Sequence, residues 1–473
     1  MQSPCYIAEA IKILSIKALH ACQVSHQSVF SQSPRLSMPS KLHHVHPTSL
    51  MHPNSILLAL VATLFTTGKA CFVEHIAARA ALQTTGASIC VPSASPPANN
   101  IFAIGNVRVF NGNGFGNSEN VLVKGNQVAV VGGATIDGVP TVGGAGKFLI
   151  PGFIESHVHP QTCSDLSVLS GYGLTTAMNM ACLNYTQCAG LKSQIGTTDY
   201  ITAGEIACGT GSTHAVAFGV PPQDTINAGT NLPALVDYTF GNGSYMFKII
   251  SEAGGPTTQQ QTALVQATHG HDKLAVTHAT LLENYEEAIE SKTDGIQHTP
   301  VDGLLSSSQI NQIRSQGQFV IPTMEFYKIV FANPALPPRL GFPPGSSYAN
   351  VQTNVANMHK AGIPISPGTD AVGNSAGVNL PFGRTFHCEL QNLAAAGFGN
   401  AEVIQAATAG AAKLYRLSDR GSIAAGMRAD LVLLNSDPTL DISNTLDINS
   451  VWTGGVKVTN IQAAKGQSCD APF

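Results

Sequence analysis

The chain has 473 residues, 44% of them hydrophobic and 11% charged, with 46 glycines and a formal net charge of −4. That length and apolar fraction allow one large domain plus a smaller one around a sizeable core, and they exclude a disordered chain. No basic run stands out, so nucleic acid is not an expected partner.

Residues 1–50 are rich in Ser, His and Pro without a sustained pattern and read as an unstructured leader. An apolar run, Ile56-Leu57-Leu58-Ala59-Leu60-Val61-Ala62, then precedes the small residues near Gly68 and Ala70. It is too short for a membrane span and has the make-up of a signal-peptide core. Residues 51–71 are therefore expected to be a signal peptide, with translation starting at Met51. The expected location is extracellular, with the cytoplasm as the alternative and no stable membrane span. Two glycosylation triplets, Asn184-Tyr185-Thr186 and Asn242-Gly243-Ser244, lean the same way. Of ten cysteines, none forms a Cys-x-x-Cys zinc pattern, and their pairing cannot be read from the sequence.

Residues 101–150 alternate short apolar runs with turns such as Asn111-Gly112-Asn113-Gly114, which predicts strands. The pattern returns over 420–465, where Leu431-Val432-Leu433-Leu434 and Val451-Trp452-Thr453 flank further glycines. One small composite β-sandwich built from both ends is expected. Between them, strands are predicted at 148–154, 174–179, 200–203, 245–250, 274–277, 295–297, 319–322 and 363–367. Helices are predicted at 282–291, 307–316, 351–361 and 401–414, the last capped by Asn400. Eight strands with helical crossovers predict an α/β fold, a (β/α)8 TIM barrel over 151–419.

The first barrel strand ends in Glu155-Ser156-His157-Val158-His159-Pro160. Residues i and i+2 of a strand point the same way, so both imidazoles can converge on one metal ion. The same spacing at His44/His46 lies in the leader with no strand before it, and at His269/His271 it flanks a glycine in a loop. Further along, Lys248 lies in an apolar strand, while His278, His298 and Asp370 each close one. Singly, these read as a rim histidine, a snorkelling lysine or a capping aspartate. Falling together on strand ends in one chain order, they point to a metal site. His387 and Glu389 are read as packing a helix.

The constellation resembles the amidohydrolase superfamily over roughly residues 101–465. The resemblance rests on Pro151-Gly152-Phe153-Ile154-Glu155-Ser156-His157-Val158-His159, Phe247-Lys248-Ile249, Pro367-Gly368-Thr369-Asp370 and the later Gly426-Met427-Arg428-Ala429-Asp430-Leu431. Within it the chain is most similar to the imidazolonepropionase-like and ochratoxinase/prolidase-like groups, which cleave cyclic amides or amides of amino acids. The resemblance implies two divalent ions, zinc by default. His157, His159 and Asp370 would hold one, His278 and His298 the other, and carboxylated Lys248 would bridge both. A metal-bridging hydroxide would attack the C–N bond of a small-molecule substrate, with Asp370 as proton carrier. His214 would contact the substrate. Two departures from the family are Ala279-Thr280 after His278, and Gln297 before His298 where Glu is common. Selectivity is expected in loops 209–231 and 332–350. An esterase or lactonase on the same site and a metal-binding scaffold without turnover are the rivals, and homo-oligomerisation is open.

Overall fold

The computed structural model describes residues 100–469, apart from 135–137 and 376–377. The leader (1–50) and signal-peptide segment (51–71) lie outside the described residues.

Five strands open the described chain: β1 (Ile101–Phe110), β2 (Phe115–Lys124), β3 (Gln127–Val131), β4 (Thr141–Gly143) and β5 (Phe148–Pro151). The barrel-type region follows with β6 (Phe153–Val158), β7 (Leu174–Asn179), β8 (Asp199–Thr202), β9 (Phe247–Ile250), β10 (Ala275–His278), β11 (Gly295–Gln297) and β12 (Phe319–Ile321). A hairpin, β13 (Gly373–Ser375) and β14 (Val378–Leu380), comes next, and β15 (Leu431–Leu434), β16 (Ile448–Thr453) and β17 (Val456–Lys457) close the chain.

Both ends of the chain enter one sheet, in the order β17-β16-β15-β5-β1-β2-β3, with β4 pairing β1. The halves join where β15 runs antiparallel to β5. Hydrogen bonding thus links all eight strands of the composite domain. An isolated bridge between Gln127 and Arg428 brings the β3 edge back to the chain just before β15. The sheet encloses its own core of Ile104, Val107, Val121, Val123, Leu431, Leu433 and Trp452. Trp452 stacks on Phe102 with ring centroids 5.5 Å apart.

The predicted first barrel strand is two strands divided at Gly152. The Gly152 amide donates to the Asp430 carbonyl (2.8 Å), and a Cβ there would fall 2.2 Å from Thr175 Oγ1. No residue but glycine fits so close an approach. Beyond it, β6-β7-β8 form one parallel sheet and β9-β10-β11-β12 another. Parallel bridges Ala207–Ile249, Val320–Ile365 and Val158–Ala371 lie between these runs. The eighth predicted strand, 363–367, is reduced to the single Ile365 bridge. Pro364 and Pro367 have no N–H to give to a ladder, which explains the loss.

Helices occupy Leu282–Glu290, Ser307–Gln316 and Tyr348–Lys360, close to expectation. Ser306 and Gln309 form a reciprocal capping box that fixes the start of the second. The predicted 401–414 helix starts at Asn400 with Gly399, not Asn400, as its cap, and widens into a π turn over Ala406–Gly410. Disulfides join Cys182 to Cys188 and Cys388 to Cys469, while Cys208 is a buried thiol. Among the described residues no helix is long and apolar enough to cross a membrane.

The end of the chain is tied to the parallel strands by charge. Arg420 Nη1 donates to Asp199 Oδ2 (2.7 Å) and Thr176 Oγ1 (2.8 Å), and its Nε donates to Asp419 Oδ1 (2.8 Å). The Arg420 side chain is only 8% exposed, so removing it strands Asp199 without its main partner. Arg420→Ala is expected to cost about 3 kcal/mol, the usual penalty for breaking a buried pair, read as a lower urea midpoint with an unchanged slope.

Candidate metal centre

Parallel register puts the expected ligands at one end of the strands. Lys248 on β9 pairs Val276 on β10, and His278 at the end of β10 pairs both Ile250 and Gln297. His298 follows Gln297 directly. The segment 366–371, denied a regular ladder, is bound to β6 by other means. The Ser156 amide donates to the Pro367 carbonyl (3.1 Å), the Asp370 amide to the His157 carbonyl (2.7 Å), and the His159 amide to the Ala371 carbonyl (3.0 Å).

Glu155 reinforces this seam. Its Oε1 accepts from the His157 amide (3.2 Å) and the Thr369 amide (3.0 Å), and its Oε2 from the Thr369 hydroxyl (2.9 Å). Burial pushes its pKa well above the ordinary carboxylate value, although these hydrogen bonds pull it down. Asp370 and His298 both adopt left-handed backbone, with φ of 58° and 75°. Such geometry is unfavourable for side-chain-bearing residues and persists where surrounding contacts enforce it.

His157, His159, Lys248, His278, His298 and Asp370 all line one cavity of about 230 Å3. Asp370 Oδ1 lies 2.9 Å from His159 Nε2 and 3.2 Å from His157 Nε2. The ring of His298 is 4.7 Å from that of His157 and 4.4 Å from that of His278. Candidate donor atoms of His157, His298 and Asp370 all lie within 4.8 Å of one another.

Second contacts orient these rings. His157 Nδ1 faces Gln297 Oε1 at 2.8 Å, and His298 Nδ1 faces Thr323 Oγ1 at 2.9 Å. An amide oxygen only accepts, so His157 donates from Nδ1 and turns the Nε2 lone pair towards Asp370. Burial, followed by the Lys248 charge, lowers the His157 pKa to about 3, so the ring is neutral. Burial raises the Asp370 pKa, but its close contacts with His157, His159 and His298 outweigh this and hold it well below the usual range. A lone pair therefore faces a carboxylate oxygen, which is unfavourable until a cation lies between them. Lys248 is 2% exposed, its Nζ has no hydrogen-bond partner, and burial lowers its pKa to about 7.

His214 also reaches the cavity, with its ring 4.4 Å from His278. Its amide and Nδ1 each approach a different oxygen of Glu252 at 2.8 Å. Sequence reasoning missed Glu252, although it lies four residues past Lys248 at the active end of the same strand. It also missed the orienting role of Thr323 and the anchoring role of Glu155; neither carries a spacing signal. His387 and Glu389 do sit buried on the helix Arg384–Ala395. His387 bonds Thr445 and the Tyr172 carbonyl at 2.9 Å, and Glu389 accepts from the Met324 and Glu325 amides at the start of the helix Met324–Ala332.

Gly368 touches the centre most closely. A Cβ there would fall 2.4 Å from Ile321 Cγ2 and 2.8 Å from both Cβ and N of His157. Gly368→Ala is expected to destabilise the fold by about 2 kcal/mol and to weaken metal binding by displacing His157, checked by denaturation and by metal titration. His387 gives a pH signature. Burial lowers its pKa to about 4, so the unfolded chain takes up its proton first as pH falls below the ordinary histidine value. Its stabilising contribution is complete above pH ~6.5 and falls by roughly 2 kcal/mol at pH 5. Replacing His387 by Gln should flatten that part of the stability–pH curve.

Residues 148–459 match the amidohydrolase family. No curated protein matches the chain. Among solved structures, a Xaa-Pro dipeptidase with bound methionine in its active site shares 19% identity at a TM-score of 0.65, covering 76% of this chain and 99% of that one. Molinate hydrolase gives 18% and 0.64, covering 80% and 98%. Ochratoxinase from A. niger gives 15% and 0.61, covering 75% and 94%. These likenesses show a TIM-barrel-type α/β fold with a sheet domain at the N-terminal end. The extent of the family match makes the chain a member of the amidohydrolase family, hydrolases of carbon–nitrogen bonds.

Proposed function

We propose that the chain is a two-metal hydrolase of amides or cyclic amides whose site is the cavity around Asp370. The observation that carries this reading is Lys248, a buried amine without a hydrogen-bond partner among four histidines and a carboxylate. His157, His159 and Asp370 would hold one ion and His278 and His298 the other, with Lys248 bridging as its carbamate. The lowered pKa favours that modification. At neutral pH a large share of the amine carries its lone pair, which attacks carbon dioxide and loses a proton to leave an anionic oxygen donor. When bound, divalent ions, zinc by default for this donor set, would polarise the substrate carbonyl and lower the pKa of water.

The chain's own residues do the rest. Asp370 accepts the proton of the attacking water on its carboxylate and delivers it to the departing amine. Glu155 and the left-handed turn at Asp370 hold that carboxylate in place. Gln297 and Thr323 fix the ring faces of His157 and His298. His214 presents its remaining nitrogen to the substrate. The neighbours named as a molinate hydrolase and a Xaa-Pro dipeptidase are hydrolases too, in keeping with this reading. The three isolated parallel bridges support closure into an eight-stranded barrel over 151–419, with the composite domain formed by 101–150 and 420–465. Two disulfides, together with the apolar run at 55–65, support secretion.

Metal content per chain decides the central claim. Two ions in the purified protein, falling to one or none in Lys248→Ala with at least about a thousandfold loss of turnover, are the expected result. One ion, unchanged by the substitution, would make Lys248 structural and remove the bridged site. A panel of matched amides, lactams and esters separates amide hydrolysis from ester or lactone hydrolysis, and metal binding without any turnover would identify a scaffold.

A further inference from the structure

Above the ligand cluster the cavity changes character. Its walls include Phe218, Leu281, Phe326, Leu340 and Phe342. They come from separate segments and support one another: Phe342 packs against Tyr327 and Phe331 with ring centroids 6.1 and 6.0 Å apart, and Phe326 lies 5.2 Å from Tyr327. Phe218 lies flat along His214, at 5.8 Å and 14°. Such a wall offers aromatic and branched apolar groups a surface to bury against, and offers a charge nothing to replace its water.

The polar part of the wall is His214 with Glu252. Both carboxylate oxygens of Glu252 are committed to His214, one to its amide and one to its ring. The Glu252 carboxylate sits against the ring and amide of His214, so this part of the wall offers an anion no unopposed cation. Among the described residues lining the cavity, no arginine is present, and the single lysine is Lys248 on the floor. A substrate carboxylate held against this wall, away from the floor, would lose its hydration, meet Glu252 and find no guanidinium or free ammonium to pair with.

We propose that this cavity selects amides that lay an uncharged aromatic or branched apolar group against this wall, and discriminates against those carrying a free carboxylate there, with Glu252 as a specificity-determining residue. The proposal rests on the hydrolase reading for the position of the scissile bond. It separates this chain from a dipeptidase, whose substrates end in a carboxylate.

The test is calorimetric titration of the purified protein with 3-phenylpropan-1-ol and with 3-phenylpropanoate. The two share ring and chain and differ in a hydroxymethyl group against a carboxylate, and neither contains an ammonium or a cleavable bond. The alcohol is expected to bind at least about tenfold more tightly, and Glu252→Gln to narrow that gap to about threefold or less. Equal or tighter binding of 3-phenylpropanoate overturns the proposal, as does binding of neither. A wild-type preference left intact in Glu252→Gln overturns the role of Glu252. Turnover of N-acyl amides is scored separately: a preference for the alcohol without turnover would sink the hydrolase reading and leave this one standing.

Discussion

Five basic side chains share a buried floor with one carboxylate, Asp370, and the rest of the structure accommodates that crowding. Left in water, five such groups would repel one another weakly; buried, they cannot all carry charge. Burial eases the conflict at His157, His278, His298 and Lys248 by disfavouring their charged forms. Burial holds His278 and His298 well below the ordinary histidine pKa, and lowers Lys248 to about 7. Neutral imidazoles and a neutral amine retain lone pairs, and lone pairs around a carboxylate are what a divalent cation requires. The same desolvation that makes the cluster costly to bury thus leaves its side chains suited to bind a cation.

Such a cluster needs a rigid frame, and the frame is weakest where the chain departs from regular structure. Prolines at 364 and 367 deny the eighth position a ladder. The gap is closed by Glu155, whose carboxylate spans the His157 amide and both polar groups of Thr369, and by the Asp370 and Thr369 amides converging on the His157 carbonyl. Side-chain hydrogen bonds here do the work that backbone pairing does elsewhere, and they allow Asp370 the left-handed turn that a strand would forbid. Glu155 is therefore placed to act on the site without lining its cavity.

Much of this was legible because strands have a period of two. His157 and His159 could be placed on one side of β6 from spacing alone, and the apolar runs at 174–179 and 295–297 matched β7 and β11 at both ends. The helix predicted at 307–316 likewise matched at both ends. What failed to show was whatever depends on atoms distant in sequence. Gly152 reads as part of one long strand until Thr175 is seen against it. The π turn at 406–410 has helical composition throughout. Glu252, Thr323 and Glu155 reach their partners across 20 residues or more, and no periodicity marks them.

The cavity divides its labour by distance from the strands. Its floor is made by residues in or just beyond the parallel strands and by the Asp370 turn bound to β6, where an error of one position would turn a strand side chain to the opposite face. Its walls come from connecting segments, where Phe218, Leu340 and Phe342 can be exchanged without disturbing that register. Electrostatics couples the two layers nonetheless. Apolar walls lower the local dielectric, which strengthens each interaction on the floor and sharpens the cost of any unpaired charge brought in with a substrate. A wall chosen for apolar substrates therefore also raises the electrostatic leverage of Asp370. A wall rebuilt to admit a carboxylate would have to supply a cation close to a floor already crowded with basic groups, and would weaken the very neutralisation on which the ligand set depends.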